Sequence, residues 1–248
     1  MIPPDCQSFP VHTTRRSTAQ MATTPRPSRA DEVYEQLKRD VSDFKLVPGD
    51  RFSETELAAR YQVSRTPVRD ALYRLEREGY LEVGFRRGWT VKPLDFNQID
   101  ELYDLRVVLE SVAIERLCGL PDLAGALVEL NRIWMVPPGE REHGMKQVAD
   151  LDEAFHSGLL AAAGNREMMR VHAEVCDRIR IVRRLDFYKS ARIEKTYNEH
   201  ARILTALASR RRDEAQMLLR SHIEQSKIEV RKISLSMLSE ARNSLQQA

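Results

Sequence analysis

The sequence predicts a mainly α-helical protein with two domains, an N-terminal winged helix-turn-helix domain and a C-terminal all-α helical bundle. Three observations support this fold class. Two short helical patterns separated by a tight turn occupy residues 54–78, and two short strand patterns joined by a basic loop follow at residues 81–91. From residue 95 onwards, apolar residues recur at helical spacing and no convincing strand is found.

The N-terminal segment, residues 1–30, is rich in Pro, Ser and Thr and has almost nothing to bury. This composition predicts a disordered tail. A support helix is then expected from Asp31 to before the turn at residues 48–50, and the winged domain is placed at residues 31–93. The residues expected to face inward are Val33, Leu37, Val41 and Phe44.

The helix-turn-helix pattern begins with a capping box. Ser53 can accept from the backbone N–H of Glu56, whose side chain can reach back to the N–H of Ser53. The first helix breaks at residues 62–63, and Ser64 is expected to cap the second, with Pro67 in its first turn. These signals predict two helices joined by a tight turn.

The second helix and the loop after it carry cations on the outside. Arg65 and Arg69 lie four residues apart on a face opposite the apolar stripe, and the loop at residues 84–88 contains two further arginines. A helix with outward Arg and Thr near its start, followed by a basic hairpin, is typical of a reader of double-stranded DNA. The expected DNA contacts are Ser64, Arg65, Thr66, Pro67 and Arg69 on the helix, and Arg86, Arg87 and Gly88 in the loop.

The sequence SETELAARYQVSRTPVRDALYRLEREGYLEV, followed by RRGWTV, resembles the winged-helix domain of GntR-type transcription regulators from Val33 to Val91. The family usually has Gly in the turn where this chain has Gln62, so a non-glycine residue is expected at positive φ there. Because one short helix recognises a half-site only weakly, we expect a homodimer on a palindromic operator.

Charge and cysteine content narrow the class of protein. The net charge is only +2, so the basic character is local and a nonspecific nucleic-acid coat is not expected. Three cysteines without paired spacing argue against a disulfide framework or a zinc ribbon. No apolar run approaches the roughly 20 residues of a membrane helix, so we expect a cytoplasmic protein without membrane contact.

The second domain, residues 95–240, is expected to be an antiparallel bundle of six helices. Pro93 and Leu94 form a short linker, and Asp95 caps the first helix. The expected helices extend to about Cys118, over the stripe from Leu123 to Trp134, over residues 145–163, 166–187 and 191–208, and from Asp213 well past Ile233.

Four polar residues occupy inward positions of these helices. Asp152 and His156 are four apart on the third helix, His200 lies on the stripe of the fifth, and His222 on that of the last. An uncompensated buried carboxylate is costly, and each imidazole needs a partner. A divalent cation satisfies all four, which favours a metal site over separate hydrogen-bonded core residues; zinc is expected, with nickel and manganese as alternatives.

Three segments, LDEAFHSGLLAAAGN, NEHARILTAL and AQMLLRSHIE, resemble the helical effector-binding FCD domain of the FadR subfamily, over about residues 95–235. In metal-binding members of that subfamily an Asp and three His hold a divalent ion, and the matching positions are the four residues above. The chain departs from the resemblance at residues 210–213, where the family often has a Gly.

Two further inward residues, Arg106 and His172, are candidates for binding an effector. A guanidinium can receive a carboxylate through two hydrogen bonds, although an ion pair between Arg106 and Glu110 one turn away is an equally good interpretation. One Asp and three neutral His leave a divalent ion at net +1, which suits a small organic acid as the effector.

The sequence therefore predicts a ligand-responsive, sequence-specific transcription regulator and not an enzyme. One alternative is a metal-dependent enzyme, which would need a general base near the metal; no second inward carboxylate is apparent on these stripes. The other is an acyl-CoA-responsive regulator without metal, which metal analysis would distinguish.

Overall fold

The computed structural model describes residues 28–84, 88–187 and 190–232. Within these residues a small domain of three helices and three strands precedes a larger helical bundle, which confirms the predicted fold class. The tail expected at residues 1–30 lies outside the described residues as far as position 27.

The elements in chain order are α1 (Arg29–Ser42), β1 (Arg51–Phe52), α2 (Glu54–Tyr61), α3 (Arg65–Arg77), β2 (Leu81–Gly84), β3 (Gly88–Val91), α4 (Phe96–Cys118), α5 (Leu123–Ala126), α6 (Val128–Trp134), a 3-10 turn (Pro138–Glu140), α7 (Met145–Ala162), α8 (Arg166–Asp186), α9 (Ser190–Ala208) and α10 (Arg212–Val230).

The support helix α1 begins two residues earlier than the apolar pattern indicates. Ser28 accepts from the backbone N–H of Asp31, and the Asp31 side chain accepts from the backbone N–H of Ser28. This capping box satisfies donors of the first turn, so the helix starts at Arg29. The expected inward residues of α1 are buried against α3, and Phe44 is buried just after the helix ends.

The two helices of the helix-turn-helix begin and end where the sequence predicts. Ser53 and Glu56 form the expected capping box, and Gln62 adopts the left-handed conformation at φ 54° and ψ 44°. Positive φ at a non-glycine residue costs roughly 1 kcal/mol, which packing of the turn can offset. The prediction for Ser64 is wrong in one respect: it occupies the cap position of α3, but its hydroxyl accepts no hydrogen bond there.

A three-stranded antiparallel sheet in the order β1-β3-β2 forms the base of the wing. The sequence predicts β2 and β3 but misses β1, a two-residue strand that pairs Arg51 with Thr90 and Phe52 with Trp89. Gly88 has φ 76°, and a Cβ atom there would lie 2.7 Å from the carbonyl oxygen of Phe52, so this close approach needs a glycine. The predicted wing-tip residues Arg86 and Arg87 lie outside the described residues.

In the bundle, the long helix α4 packs against α10, α7, α8 and α9. Asp95 caps α4 as expected, because its carboxylate accepts from the backbone N–H groups of Asn97 and Gln98. One bundle prediction is wrong, because the second expected helix is divided into α5 and α6 at Leu127. Helix α10 extends to Val230, and the continuation expected past Ile233 lies outside the described residues.

The two domains meet through ion pairs between α1 and the bundle. Lys38 of α1 lies 2.5 Å from Asp177 of α8, and Asp43, just after α1, pairs with Arg184 of α8 at 2.5 Å. Helix α8 thus contacts the winged domain with one face while its other face lies in the bundle core. No helix in the described part of the chain is long and apolar enough to span a membrane.

Candidate functional site

The four polar residues from the apolar stripes meet in the interior of the bundle. Asp152 and His156 lie one turn apart on α7, His200 lies on α9 and His222 on α10. Their exposed fractions are 4%, 1%, 0% and 3%, so all four have almost no contact with bulk solvent. Helical spacing aligns the pair on α7, and the packing of α9 and α10 against the core brings the other two residues to it.

Each of these residues turns one ligand atom toward a common centre. The Nε2 atom of His222 lies 3.2 Å from that of His200 and 3.3 Å from that of His156. Oδ1 of Asp152 lies 3.7, 3.4 and 3.8 Å from the Nε2 atoms of His156, His200 and His222. Five of the six separations among these four atoms are thus 3.2–3.8 Å, and all four atoms lie within 4.8 Å of one another. The ligand atoms of a tetrahedral zinc ion, each bonded at roughly 2.1 Å, are about 3.4 Å apart. The cluster therefore has the dimensions of a divalent-metal site.

The protonation of the cluster also suits a cation. Burial is the main reason why the pKa of His200 lies well below its ordinary value, and it lowers the pKa of His222 to about 4. Both rings are therefore neutral at pH 7, and the neutral imidazole is the form that binds metal. Oδ1 of Asp152 is buried and makes no hydrogen bond, so a cation at the centre would satisfy it.

Two carboxylates, Glu110 and Glu199, contact the histidines from outside the cluster. Oε2 of Glu110 lies 2.5 Å from Nδ1 of His156, and Oε2 of Glu199 lies 2.7 Å from Nδ1 of His222. A carboxylate on Nδ1 holds the ring proton there and leaves Nε2 free as a ligand. The expectation that no second inward carboxylate lies near these residues is wrong, because Glu110 is fully buried on α4 beside the cluster.

The second oxygen of Asp152 is held by Arg183 of α8, whose Nη2 atom lies 2.6 Å from Oδ2. Burial raises the pKa of Asp152, but Arg183 and the neighbouring histidines outweigh that effect and keep its pKa well below the ordinary value. Asp152 is therefore ionised, with Oδ1 directed at the cluster. Arg183 fixes this orientation through a buried, charge-assisted hydrogen bond.

Aromatic side chains form one wall of the cluster. The His200 ring stacks on Phe155, with centroids 3.7 Å apart and planes 10° apart, and packs edge-on against Trp134 at 4.1 Å. These contacts set the direction of the His200 ring. Its Nδ1 atom is buried without a hydrogen-bond partner, unlike those of the other two histidines.

The two predicted effector residues, Arg106 and His172, meet at Glu110. Arg106 Nε and His172 Nε2 each lie 3.0 Å from Oε1 of Glu110. The ion pair within α4, which the sequence left open as an alternative, is therefore formed. Nη2 of Arg106 is buried without a hydrogen-bond partner, so the guanidinium keeps a donor for a further acceptor.

The thiol of Cys176 lies between His172 and Arg183, next to the group around Glu110. Sγ of Cys176 lies 3.5 Å from Nε2 of His172 and 3.7 Å from Nη1 of Arg183. Burial opposes a charge on His172, but Cys176 and Glu110 outweigh it and raise the pKa of His172 to about 9. The region beside the four-residue cluster is thus rich in buried cationic donors, which is the chemistry needed to accept an anion.

At the other end of the molecule, the predicted reading residues lie on the exposed face of α3. Arg65, Arg69 and Thr66 are exposed, Ser64 is exposed at the cap position, and Pro67 is half-buried. Both arginines are paired with Glu54 of α2. Sequence reasoning identified the arginines but not this partner, which is 11 and 15 residues away from them.

Cys176 and Arg183 contact the site but are absent from the residues predicted from the sequence, although their spacing on α8 indicates an inward position. They continue the stripe of His172 and Ile179 on α8 at spacings of three and four, so helical periodicity places both on the inward face. For Glu110, the sequence indicates only the pairing with Arg106. Glu199, adjacent to His200 and only partly buried, has no comparable pattern.

Comparison with known proteins agrees with this arrangement. Residues 29–91 match the family described as bacterial regulatory proteins, gntR family, and residues 101–225 match the FCD domain. The Nta operon transcriptional regulator of Aminobacter aminovorans is 33% identical over 187 residues, which cover 73% of this chain and 84% of the relative. The HTH-type transcriptional regulator YdhC of Bacillus subtilis (strain 168) is 28% identical over 193 residues, 77% of this chain and 86% of the relative.

Solved structures share the fold. E. coli McbR/YncC superposes with a TM-score of 0.65 at 20% sequence identity, over 83% of this chain and 98% of that chain. A GntR transcriptional regulator from Rhodococcus sp. RHA1 gives a TM-score of 0.64 at 22% identity, over 84% of this chain and all of the other. The matched families and relatives are transcription regulators and not enzymes. The chain therefore belongs to the gntR family of bacterial regulatory proteins and is a DNA-binding transcription regulator with a C-terminal FCD domain.

Proposed function

We propose that this regulator binds one divalent metal ion through Asp152, His156, His200 and His222, and that a small carboxylate binding beside the metal changes its affinity for DNA. The observation that carries the proposal is that four buried ligand atoms from three helices lie within 4.8 Å of one another. Zinc fits three nitrogens and one oxygen at roughly 2.1 Å, and nickel or manganese would use the same donors.

The charge around the metal favours an anionic effector. One ionised Asp and three neutral His leave a divalent ion at net +1, and Arg183 adds a positive charge within hydrogen-bond distance of Asp152. Nη2 of Arg106 lacks a partner in the buried interior, so a carboxylate there would gain a charge-assisted hydrogen bond. Arg106 and His172 are the proposed effector contacts, linked to the metal ligand His156 through Glu110.

Helix α8 offers a route from this site to the DNA-binding domain. Arg183 contacts the metal ligand Asp152, and the next residue, Arg184, pairs with Asp43 beyond α1. Asp177, on the same face as Arg184, pairs with Lys38. A shift of α8 that accompanies effector binding would therefore move the winged domain, which is the two-state element that coupling between two sites requires.

A homodimer on a palindromic operator is the proposed DNA-bound form. Arg65, Arg69, Thr66 and the remaining predicted contacts of α3 and the wing would face each half-site. The exposed face of α4 carries a stripe of Leu105, Val108 and Val112, which are 38%, 58% and 40% exposed. Apolar residues at this spacing on an outward face suit packing against the same helix of a second copy. The proposed compartment is the cytoplasm.

The test first uses the protein to enrich a DNA duplex from a randomised pool. The labelled duplex is then titrated with protein, and binding is measured by fluorescence anisotropy. The titration is run with metal-loaded protein, with and without a panel of mono- and dicarboxylates. We expect one acid class to shift operator affinity by roughly 5- to 150-fold, the usual range of allosteric coupling. Arg106→Ala should remove this shift and leave DNA binding intact. An acid that binds tightly but leaves the operator isotherm unchanged would contradict the proposal.

A further inference from the structure

The two arginines on the outward face of α3 are held by one carboxylate. Glu54, the first residue of α2, accepts from Nε of Arg69 at 3.0 Å and from Nη2 of Arg69 at 2.9 Å. It also accepts from Nη2 of Arg65 at 2.9 Å. The Glu54 side chain is only 17% exposed, whereas those of Arg65 and Arg69 are 60% and 51% exposed. The carboxylate thus lies beneath two guanidiniums that face solvent.

The bonds to Glu54 use one edge of the Arg69 guanidinium. A guanidinium has five N–H donors, and its Nε/Nη2 edge is the one that the two oxygens of Glu54 contact. The remaining pair of parallel donors, on Nη1 and Nη2, lies at the tip of the side chain. That pair matches the spacing of O6 and N7 of guanine in the major groove. Arg69 can therefore keep both bonds to Glu54 while it contacts a guanine.

The charge of Glu54 has a second consequence. Hydrogen bonding from Arg69 is the main reason why the pKa of Glu54 falls to about 2, so the carboxylate is ionised in any ordinary buffer. A negative charge beneath the reading face offsets part of the attraction of Arg65 and Arg69 for phosphates. Phosphate attraction is the source of nonspecific binding, so this offset weakens binding to unrelated DNA.

We propose that Glu54 is a positioning residue for base recognition, which orients Arg69 end-on toward one guanine and restrains both arginines from sequence-independent contacts with phosphates. The inference rests on the proposed role of Arg69 as a reader. It assigns to α2, which precedes the reading helix, a direct part in specificity.

The test compares five proteins on two DNA probes, measured by fluorescence anisotropy over a range of salt concentrations. The probes are the duplex enriched from a randomised pool by the wild-type protein and a scrambled duplex of the same composition. Base preference is read by sequencing the pools that each protein enriches. The proteins are the wild type, Glu54→Gln, Glu54→Asp and Arg69→Ala, with Glu35→Gln, an exposed position on α1, as a control for loss of one negative charge.

Glu54→Gln should bind the scrambled duplex several-fold more tightly, with a steeper salt dependence, because both arginines become free to contact phosphates. Its ratio of specific to nonspecific affinity should fall roughly fivefold or more. A fall of this size is consistent with the loss of one bidentate arginine–guanine contact. The lost preference should be for a guanine at the same base pair that Arg69→Ala affects. Glu54→Asp keeps the charge but retracts the carboxylate, so it should lose guanine preference without the gain in nonspecific affinity.

Three outcomes would overturn the inference. If Arg69→Ala loses the guanine preference while Glu54→Gln and Glu54→Asp retain it in full, Arg69 is a reader but Glu54 does not position it. If Arg69→Ala itself retains every base preference, Arg69 does not read a base, and the proposed role of Glu54 in positioning it is also excluded. If Glu35→Gln matches Glu54→Gln on both probes, the change in affinity comes from the lost negative charge and not from the position of Glu54.

Discussion

The replacement His200→Ala, measured with and without metal, tests the candidate metal site through folding stability. The variant removes one of the four candidate ligands and also a ring that stacks on Phe155 at 3.7 Å and contacts Trp134 at 4.1 Å. Two separate losses are therefore expected, one from packing and one from metal binding. Only the second depends on the presence of metal.

The two losses have different sizes. Truncation of a fully buried ring to Ala leaves a cavity and costs about 2–4 kcal/mol, with or without metal. A ligand that binds only the native state, at a free concentration 1,000 times its dissociation constant, adds about 4 kcal/mol to the free energy of unfolding. Because the variant lacks one ligand, most of that second contribution should disappear. The total loss should therefore be roughly twice as large in metal as in chelator.

The assay is urea unfolding of the wild type and the variant, each in buffered free zinc and in chelator, with elemental analysis of protein purified without chelator. The wild type should carry close to one divalent ion per chain. Phe155→Leu is the matched control, because it disturbs the same aromatic wall and keeps all four ligands; its loss should be equal in both buffers. A wild-type protein without bound metal, or an equal loss for His200→Ala in both buffers, would exclude a metal site at these four residues.

Three further predictions concern the dimer, a buried histidine and the domain interface. Val108→Asp places a charge on the exposed α4 stripe and should yield a folded monomer by sedimentation velocity; an unchanged dimer would exclude this face. Burial lowers the pKa of His172, but Cys176 and Glu110 outweigh burial and raise it to about 9. Protonated His172 should therefore contribute about 3 kcal/mol to the free energy of unfolding, fully present below pH 6.5 and lost as the pH rises through 9. His172→Gln should flatten that pH dependence in urea unfolding, and a retained slope would show that another group titrates. Lys38→Met removes the pair with Asp177 at the domain interface, so it should weaken the effect of the acid on operator affinity while acid binding by calorimetry is unchanged; full retention of the effect would exclude this route.

Local patterns in the sequence were sufficient to predict the elements that carry the two sites. The capping box at Ser53 and Glu56 and the cap at Asp95 are formed as expected, because they depend on residues within one or two turns. The positive φ at Gln62, which the family resemblance implied, is also formed. The positions of the four candidate ligands on buried faces follow from helical periodicity for the same reason. The missed strand β1 shows the limit of such patterns, since two residues are too few to establish an alternation.

The sequence alone was enough to identify the family, the winged domain followed by a helical bundle, and six of the inward polar residues: the four candidate ligands, Arg106 and His172. The packing of the folded chain determines which of their atoms meet. Glu110 is bound by side chains from three helices, α4, α7 and α8, and Glu54 binds two arginines across the turn between α2 and α3. Periodicity fixes the face of a helix on which a side chain lies, but the distance between faces of different helices depends on how the whole bundle packs. For that reason, the partners that orient the candidate ligands and the reading arginines become visible only in the folded chain.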